Sequence, residues 1–136
     1  MPDVITLSKE SIKGHEGLSL KVYRCPAGKN TIGFGRNVDD KGISPKEAEY
    51  LLENDIVECL QDLANFSWWH NLSEHQQAAL IDLRFNLGPA RFRTFKQMIK
   101  ALEMGDYTEA AYQVLHSQYH DQVGKRAEHI AGWLTQ

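Results

Sequence analysis

Lys13-Gly14-His15-Glu16-Gly17-Leu18 and, a short way on, Thr31-Ile32-Gly33-Phe34-Gly35 are the segments that decide the fold. Upstream, Thr6 to Glu16 carries apolar residues at helical intervals with Thr6 or Ser8 as a cap, and Gly17 is a stop signal, so a short helix ending at Glu16 is predicted. Downstream, Leu20 to Arg24 and Thr31 to Phe34 are β-branched or aromatic runs separated by the turn formers Cys25-Pro26-Ala27-Gly28-Lys29-Asn30, which predicts a hairpin. Gly33 and Gly35 flank Phe34, where a missing Cβ lets a ligand or another backbone come close. A helix-terminal carboxylate followed by a glycine-rich hairpin is the most unusual local demand in the chain.

After a loop from Arg36 to Ile43, Ser44-Pro45-Lys46-Glu47 combines a capping residue, proline at the first helical position and glutamate three residues after the cap. Ala48, Leu51, Leu52, Ile56, Cys59, Leu60 and Leu63 then keep a three-and-four spacing, predicting a long helix to about Ala64 with one buried stripe and Cys59 as a core thiol. Ser73-Glu74-His75-Gln76 opens a further helix that closes at Gly88-Pro89, and helices are predicted over Phe95 to Met104, Asp106 to His116 and Gln122 to Leu134. No repeat or long linker interrupts them.

The 136 residues, 42% of them hydrophobic, suffice for one domain with a core. A net charge of -3 without a basic face argues against nucleic-acid or membrane-surface binding. Cys25 and Cys59 form no CxxC pair, and no disulfide framework is expected. The first ten residues have no cationic segment followed by an apolar run, so synthesis without a signal peptide is expected. His116 and His120 have ligand spacing on a single helix, but HExxH is absent and no third ligand is identified, so neither a metal nor an organic cofactor is implied. With no GxSxG elbow, P-loop or dinucleotide fingerprint, carboxylate chemistry remains.

The run from Lys13 to Leu18, then Leu20-Lys21-Val22-Tyr23, Gly28 and Thr31 to Gly35, resembles the active-site signature of phage lysozymes, glycoside hydrolase family 24. The resemblance continues through Gly42-Ile43-Ser44, Glu47-Ala48-Glu49 with Leu51-Leu52, Gln77 to Leu80, Phe85-Asn86-Leu87-Gly88 and Val123 to Ala127, in family order. It implies an α+β, predominantly helical, two-lobe fold: lobes of about 1–44 and 65–136, a connecting helix of about 45–64, and a cleft between them. It implies an endolysin that cuts the β-1,4 bond between N-acetylmuramic acid and N-acetylglucosamine in peptidoglycan. Glu16 becomes the catalytic acid, Thr31 a hydroxyl that holds the attacking water, Arg126 a partner near Glu16, and Asn86 a sugar partner on the cleft wall beside Phe85; Tyr23 and Gly35 lie within the signature.

Glycosidic cleavage needs a proton on the leaving oxygen and a nucleophile at the anomeric carbon. The usual second carboxylate, nine places after the glutamate, is here Cys25, whose thiol has an ordinary pKa of about 8.5. Cys25 and Thr31 together orienting a water is the preferred account; a Cys25 thiolate, or Asp39 or Asp40 reaching in, are the others. Two further functions stay open: a lytic transglycosylase, in which the substrate's own C6 hydroxyl attacks, and a wall-binding module that has lost catalysis. Trp68 and Trp69 are read as packing residues, and Asp82, Arg91 and Arg93 as solvated charges. The expected setting is a monomer made in the bacterial cytoplasm that reaches the wall after a separate membrane-disrupting protein acts, from a phage, a prophage or an effector.

Overall fold

The computed structural model describes residues 3–136, which form two compact units that meet in sequence between Glu49 and Tyr50. In the first unit α1 (Val4–Glu16) is capped by Asp3, whose carboxylate accepts the Thr6 N–H at 2.7 Å. The cap is therefore Asp3 rather than Thr6 or Ser8; the Ser8 hydroxyl instead donates to the Val4 carbonyl oxygen, as a serine inside a helix commonly does. The predicted stop holds: Gly17, at φ 71°, returns its N–H to the Lys13 carbonyl.

The hairpin is β1 (Ser19–Arg24) against β2 (Asn30–Gly33), antiparallel, with Tyr23 opposite Thr31 and Arg24 opposite Asn30. The segment read as a loop from Arg36 to Ile43 carries structure. β3 (Arg36–Asn37) extends the sheet in the order β1-β2-β3, and α2 (Val38–Lys41) follows directly, capped by the Asn37 side chain. Two paired residues are too short to show any alternation in sequence.

α3 (Pro45–Leu63) begins with the predicted box: the Ser44 hydroxyl accepts the Glu47 N–H at 3.1 Å, and the Glu47 carboxylate accepts the Ser44 N–H at 2.8 Å. Of its apolar stripe only Cys59 and Leu63 are buried, whereas Leu51, Leu52, Ile56 and Leu60 are exposed. Helical spacing identifies an apolar face but not how much of it is covered.

The second unit is helical. A 3-10 turn, Trp69–Asn71, leads to α4 (Glu74–Leu87), whose box joins Ser73 and Gln76. α5 (Pro89–Phe92), α6 (Lys96–Glu103) and α7 (Tyr107–Leu115) follow, the last capped by Asp106. The single helix expected over Gln122 to Leu134 is two: α8 (Gln118–Val123), capped by Ser117, and α9 (Lys125–Leu134), broken apart at Gly124 with φ 56°. His116 and His120 consequently lie on different elements, His116 stacked on Tyr112 and His120 facing Glu128, which removes the shared helix face on which a metal reading depended.

The main core is built wholly from this unit: Leu80, Leu83, Phe92, Met98, Val114 and Ile130 are fully enclosed, with Trp68 and Trp69 buried among them as packing residues. Gln76 ties the ends together, its amide donating to the Leu134 carbonyl oxygen at 2.9 Å. Of the three residues read as solvated charges, Arg91 and Arg93 are exposed and Asp82 is partly buried, and each also holds a partner. Arg93 pairs with Asp62 at 2.6 Å and lies over the Phe66 ring, Arg91 donates to Gln122 at 2.6 Å, and Asp82 binds Arg126. All three partners lie far away in sequence, which is why no local pattern announces them.

Candidate active site

Because α1 stops at Gly17, Glu16 stands on its last turn beside the β2–β3 turn. Gly35 there has φ 82°, and a Cβ at that position would fall 2.8 Å from Glu16 Oε2 and 3.0 Å from its carboxyl carbon. The carboxylate thus rests on bare backbone, a contact that only glycine permits. Next to it, the Lys13 ammonium sits 5.1 Å from the centre of the Phe34 ring, a cation–π contact between helix and turn. Gly35→Ala therefore strains a left-handed backbone, at a cost of about 1–2 kcal/mol. It also displaces the carboxylate, so turnover should fall more than the thermal midpoint, as parallel activity and melting measurements would show.

The β1–β2 turn holds Cys25. Its backbone N–H donates to the Lys29 carbonyl oxygen at 3.0 Å, and its carbonyl accepts from Gly28 at 2.8 Å. Hydrogen bonds from the backbone of Lys29 and Ala27, and then from the Thr31 side chain, pull the thiol below its ordinary pKa. Thr31 is the one residue among those described in the first unit that is buried, at 3% exposure. Its hydroxyl is 2.9 Å from the Lys29 carbonyl oxygen and also within reach of the sulfur, so two acceptors compete for its one proton. Tyr23, directly across the ladder, is half-exposed.

The two aspartates of the neighbouring segment are already occupied. Asp39 accepts the Asn30 N–H at 2.8 Å and the Asn30 amide at 3.2 Å, and these bonds hold its carboxyl below the usual range. Asp40 meets the Lys29 ammonium at 3.2 Å. Arg36 grips Glu47 with two N–H bonds, at 3.1 and 2.7 Å, and the Gly42 carbonyl with a third, which closes the segment onto the start of α3. Bonds from the Ser44 backbone and from Arg36 hold the Glu47 carboxyl low as well.

In the second unit, Arg126 stands in the first turn of α9, where two of its N–H groups reach one oxygen of Asp82 on α4. The pair is separated by 44 positions, so no local pattern in the sequence announces it. Phe85 is half-exposed and Asn86 exposed on the last turn of α4. Burial raises the thiol of Cys59, which lies under Arg84 as an inert core residue. The structure thus gathers Glu16 with Gly35, and Cys25 with Thr31 and Tyr23, in the first unit, while Arg126, Phe85 and Asn86 belong to the second.

The family model for phage lysozyme matches residues 13–132. An endolysin of Acyrthosiphon pisum secondary endosymbiont phage 1 is 38% identical over 104 residues, covering 74% of this chain and 69% of that protein. A probable T4-type lysozyme 2 of Dictyostelium discoideum is 25% identical over 157 aligned positions, covering 93% and 92% of the two chains. An endolysin of Bacillus phage PZA is 35% identical over 89 residues, 61% of this chain and 34% of that one. The matched span takes in the end of α1, the hairpin and nearly all of the helical unit, and the chain belongs to the phage lysozyme family as a glycoside hydrolase of the lysozyme type.

Proposed function

We propose that the whole chain acts as one catalytic domain of an endolysin, hydrolysing the β-1,4 bond between N-acetylmuramic acid and N-acetylglucosamine in peptidoglycan with inversion at the anomeric carbon. Glu16 donates its proton to the leaving oxygen. Cys25 and Thr31 orient the attacking water, and the hydrogen bonds that lower the Cys25 pKa make its sulfur a better proton acceptor than an ordinary thiol. Tyr23, Arg126, Phe85 and Asn86 support substrate binding. The observation that carries this reading is the Glu16 carboxylate seated on Gly35 at the sheet turn, where the bare backbone holds the acid at the end of α1. The partners already held by Asp39 and Asp40 favour Cys25 and Thr31 over either aspartate in this role.

The enzyme works as a monomer that accumulates in the host cytoplasm and acts on the wall once a separate membrane-disrupting protein opens the way; likeness to endolysins supports this setting. No helix among the described residues is long and apolar enough to cross a membrane. Mass spectrometry of muropeptides released from purified peptidoglycan tests the chemistry. Reducing-end sugars are expected; anhydro ends would make the chain a transglycosylase, and no release would make it a binding module.

Cys25 supplies a sharper test. Cys25→Asp should keep or raise activity, whereas Cys25→Ala or alkylation of the thiol should lower it about tenfold or more. The pH profile gives the sign. A thiol base gains activity as pH rises toward its lowered pKa, whereas an aspartate, ionised above about 4, extends activity to more acidic pH. Identical profiles for the wild type and Cys25→Asp would remove the sulfur from the mechanism.

A further inference from the structure

Lys13 and Glu16 are three positions apart on α1, the spacing at which opposite charges on a helix meet and pair. Here they do not: among the described residues no ion pair involves either side chain. The Lys13 ammonium lies over the Phe34 ring, 5.1 Å from its centre, and the Glu16 carboxylate lies against Gly35, the next residue of the same turn. The other permanent cation adjoining that turn is committed as well, since Arg36 is held by Glu47 and by the Gly42 carbonyl oxygen. His15 precedes Glu16 on α1, and successive residues of a helix point apart. Both permanent cations that the first unit places beside the acid are thus directed elsewhere.

The carboxylate has little else to fix it. No hydrogen bond or ion pair among the described residues joins α1 to the sheet. Gly33 and Gly35, at φ 71° and 82°, leave Phe34 between two residues without side chains, and the ring itself is 40% exposed. An exposed cation–π contact favours the held state about two- to fivefold. An exposed ion pair at this helical spacing is worth only about twofold. The ring therefore wins the ammonium while it is present, and its removal hands the ammonium to the carboxylate.

We infer that Phe34 is a positioning residue for the reaction proposed above: its ring holds the Lys13 ammonium off Glu16, which leaves the carboxyl on Gly35 without a counter-ion. The inference rests on Glu16 as the general acid. An ammonium beside a carboxyl favours the ionised form, and an ionised carboxylate has no proton for a leaving oxygen. Phe34 touches no reacting atom in this role and acts only through Lys13.

Turnover and KM on soluble peptidoglycan fragments, measured for a small set of variants, test it. Phe34→Leu should lower kcat about threefold with KM unchanged, and adding Lys13→Met should restore most of the loss. Phe34→Tyr keeps a ring and should match the wild type. Recovery on removing a second side chain is a result that a merely structural role for Phe34 would not produce. NMR reads the geometry without turnover. In the wild type the Lys13 Hε signals should lie upfield under the ring current, and Glu16 Hγ should show a nuclear Overhauser contact to Gly35 Hα. Phe34→Leu should weaken that contact, and the double variant should regain it. Unchanged kcat in Phe34→Leu, a double variant no better than the single one, or a loss confined to KM, which would make the ring a sugar contact, would overturn the inference. The two readings fail separately. A wild type that cuts while its variants are indifferent removes the role of Phe34 alone. A wild type that cuts nothing removes the lysozyme reading, and the NMR contacts then still decide where Lys13 and Glu16 are held.

Discussion

Glu16→Gln should lower muropeptide release by 10²- to 10⁴-fold, the range typical of a missing general acid, while its melting curve overlays that of the wild type. Glutamine keeps the shape of the side chain against Gly35, so the contact with bare backbone survives. What disappears is the proton: an amide cannot deliver one to a glycosidic oxygen, and the oxocarbenium-like transition state loses its leaving-group assistance. Because Glu16 is exposed at the end of α1 and its carboxylate takes no hydrogen bond among the described residues, folding has little stake in its charge. Two curves therefore decide the matter, one of release and one of melting. Comparable release from the variant would remove Glu16 from the mechanism, and a large drop in melting midpoint would make its role structural.

Asp62→Ala should do the reverse, destabilising the protein by about 3 kcal/mol without altering turnover per folded molecule. Asp62 accepts from Arg84 at 2.8 Å and from Arg93 at 2.6 Å, and Arg84 is itself buried at 7% exposure. Removing the carboxylate leaves that guanidinium out of water with, among the described residues, only the Cys59 sulfur 3.7 Å away as a side-chain partner. The same network predicts a pH effect. Hydrogen bonds from Arg93, and then from Arg84, hold the Asp62 carboxyl at about 2, against an ordinary 3.8. A depressed carboxyl contributes stability that is complete above its unfolded pKa and is lost as pH falls through the folded one. The contribution of about 2 kcal/mol should therefore vanish between roughly pH 4 and pH 2, and be missing throughout in the variant. Urea midpoints across that window would show it; parallel curves for the two proteins would refute it.

The elements that could be read from the sequence are those whose causes are local. Ser44 with Glu47 and Ser73 with Gln76 specify helix starts within four residues, and both boxes form as spaced. Gly17 ends α1 because the chain must turn there, and Gly35 admits the carboxylate because it has no Cβ. What escaped is set by distant partners or by small energies. Gly124 divides α8 from α9 inside a pattern that reads as continuous, since one glycine costs a helix only about 1 kcal/mol and context decides whether it breaks. The pairs Asp82 with Arg126 and Asp62 with Arg93 are made by packing across the helical unit. The aspartates at 39 and 40 were open candidates in sequence, and only their hydrogen bonds reveal that they are already occupied. At Cys25, the sequence shows the departure from the family pattern, whereas the turn that stabilises its thiolate appears only in three dimensions.

The core of this protein runs from Leu63 to Leu134, and none of Glu16, Cys25, Thr31 or Gly35 belongs to it. Selection can therefore act on the residues proposed for catalysis without disturbing the packing of the helical core. Most replacements within a close-packed interior erode a margin of only about 5–15 kcal/mol, but an exchange at position 25 leaves that interior untouched. A lineage can pass through a weaker catalyst at that turn and still make a folded protein, so trading a carboxylate for a sulfur is an accessible evolutionary step. Laboratory evolution started from this chain should accordingly find its gains in the hairpin and pay for few of them with compensating changes among the helices.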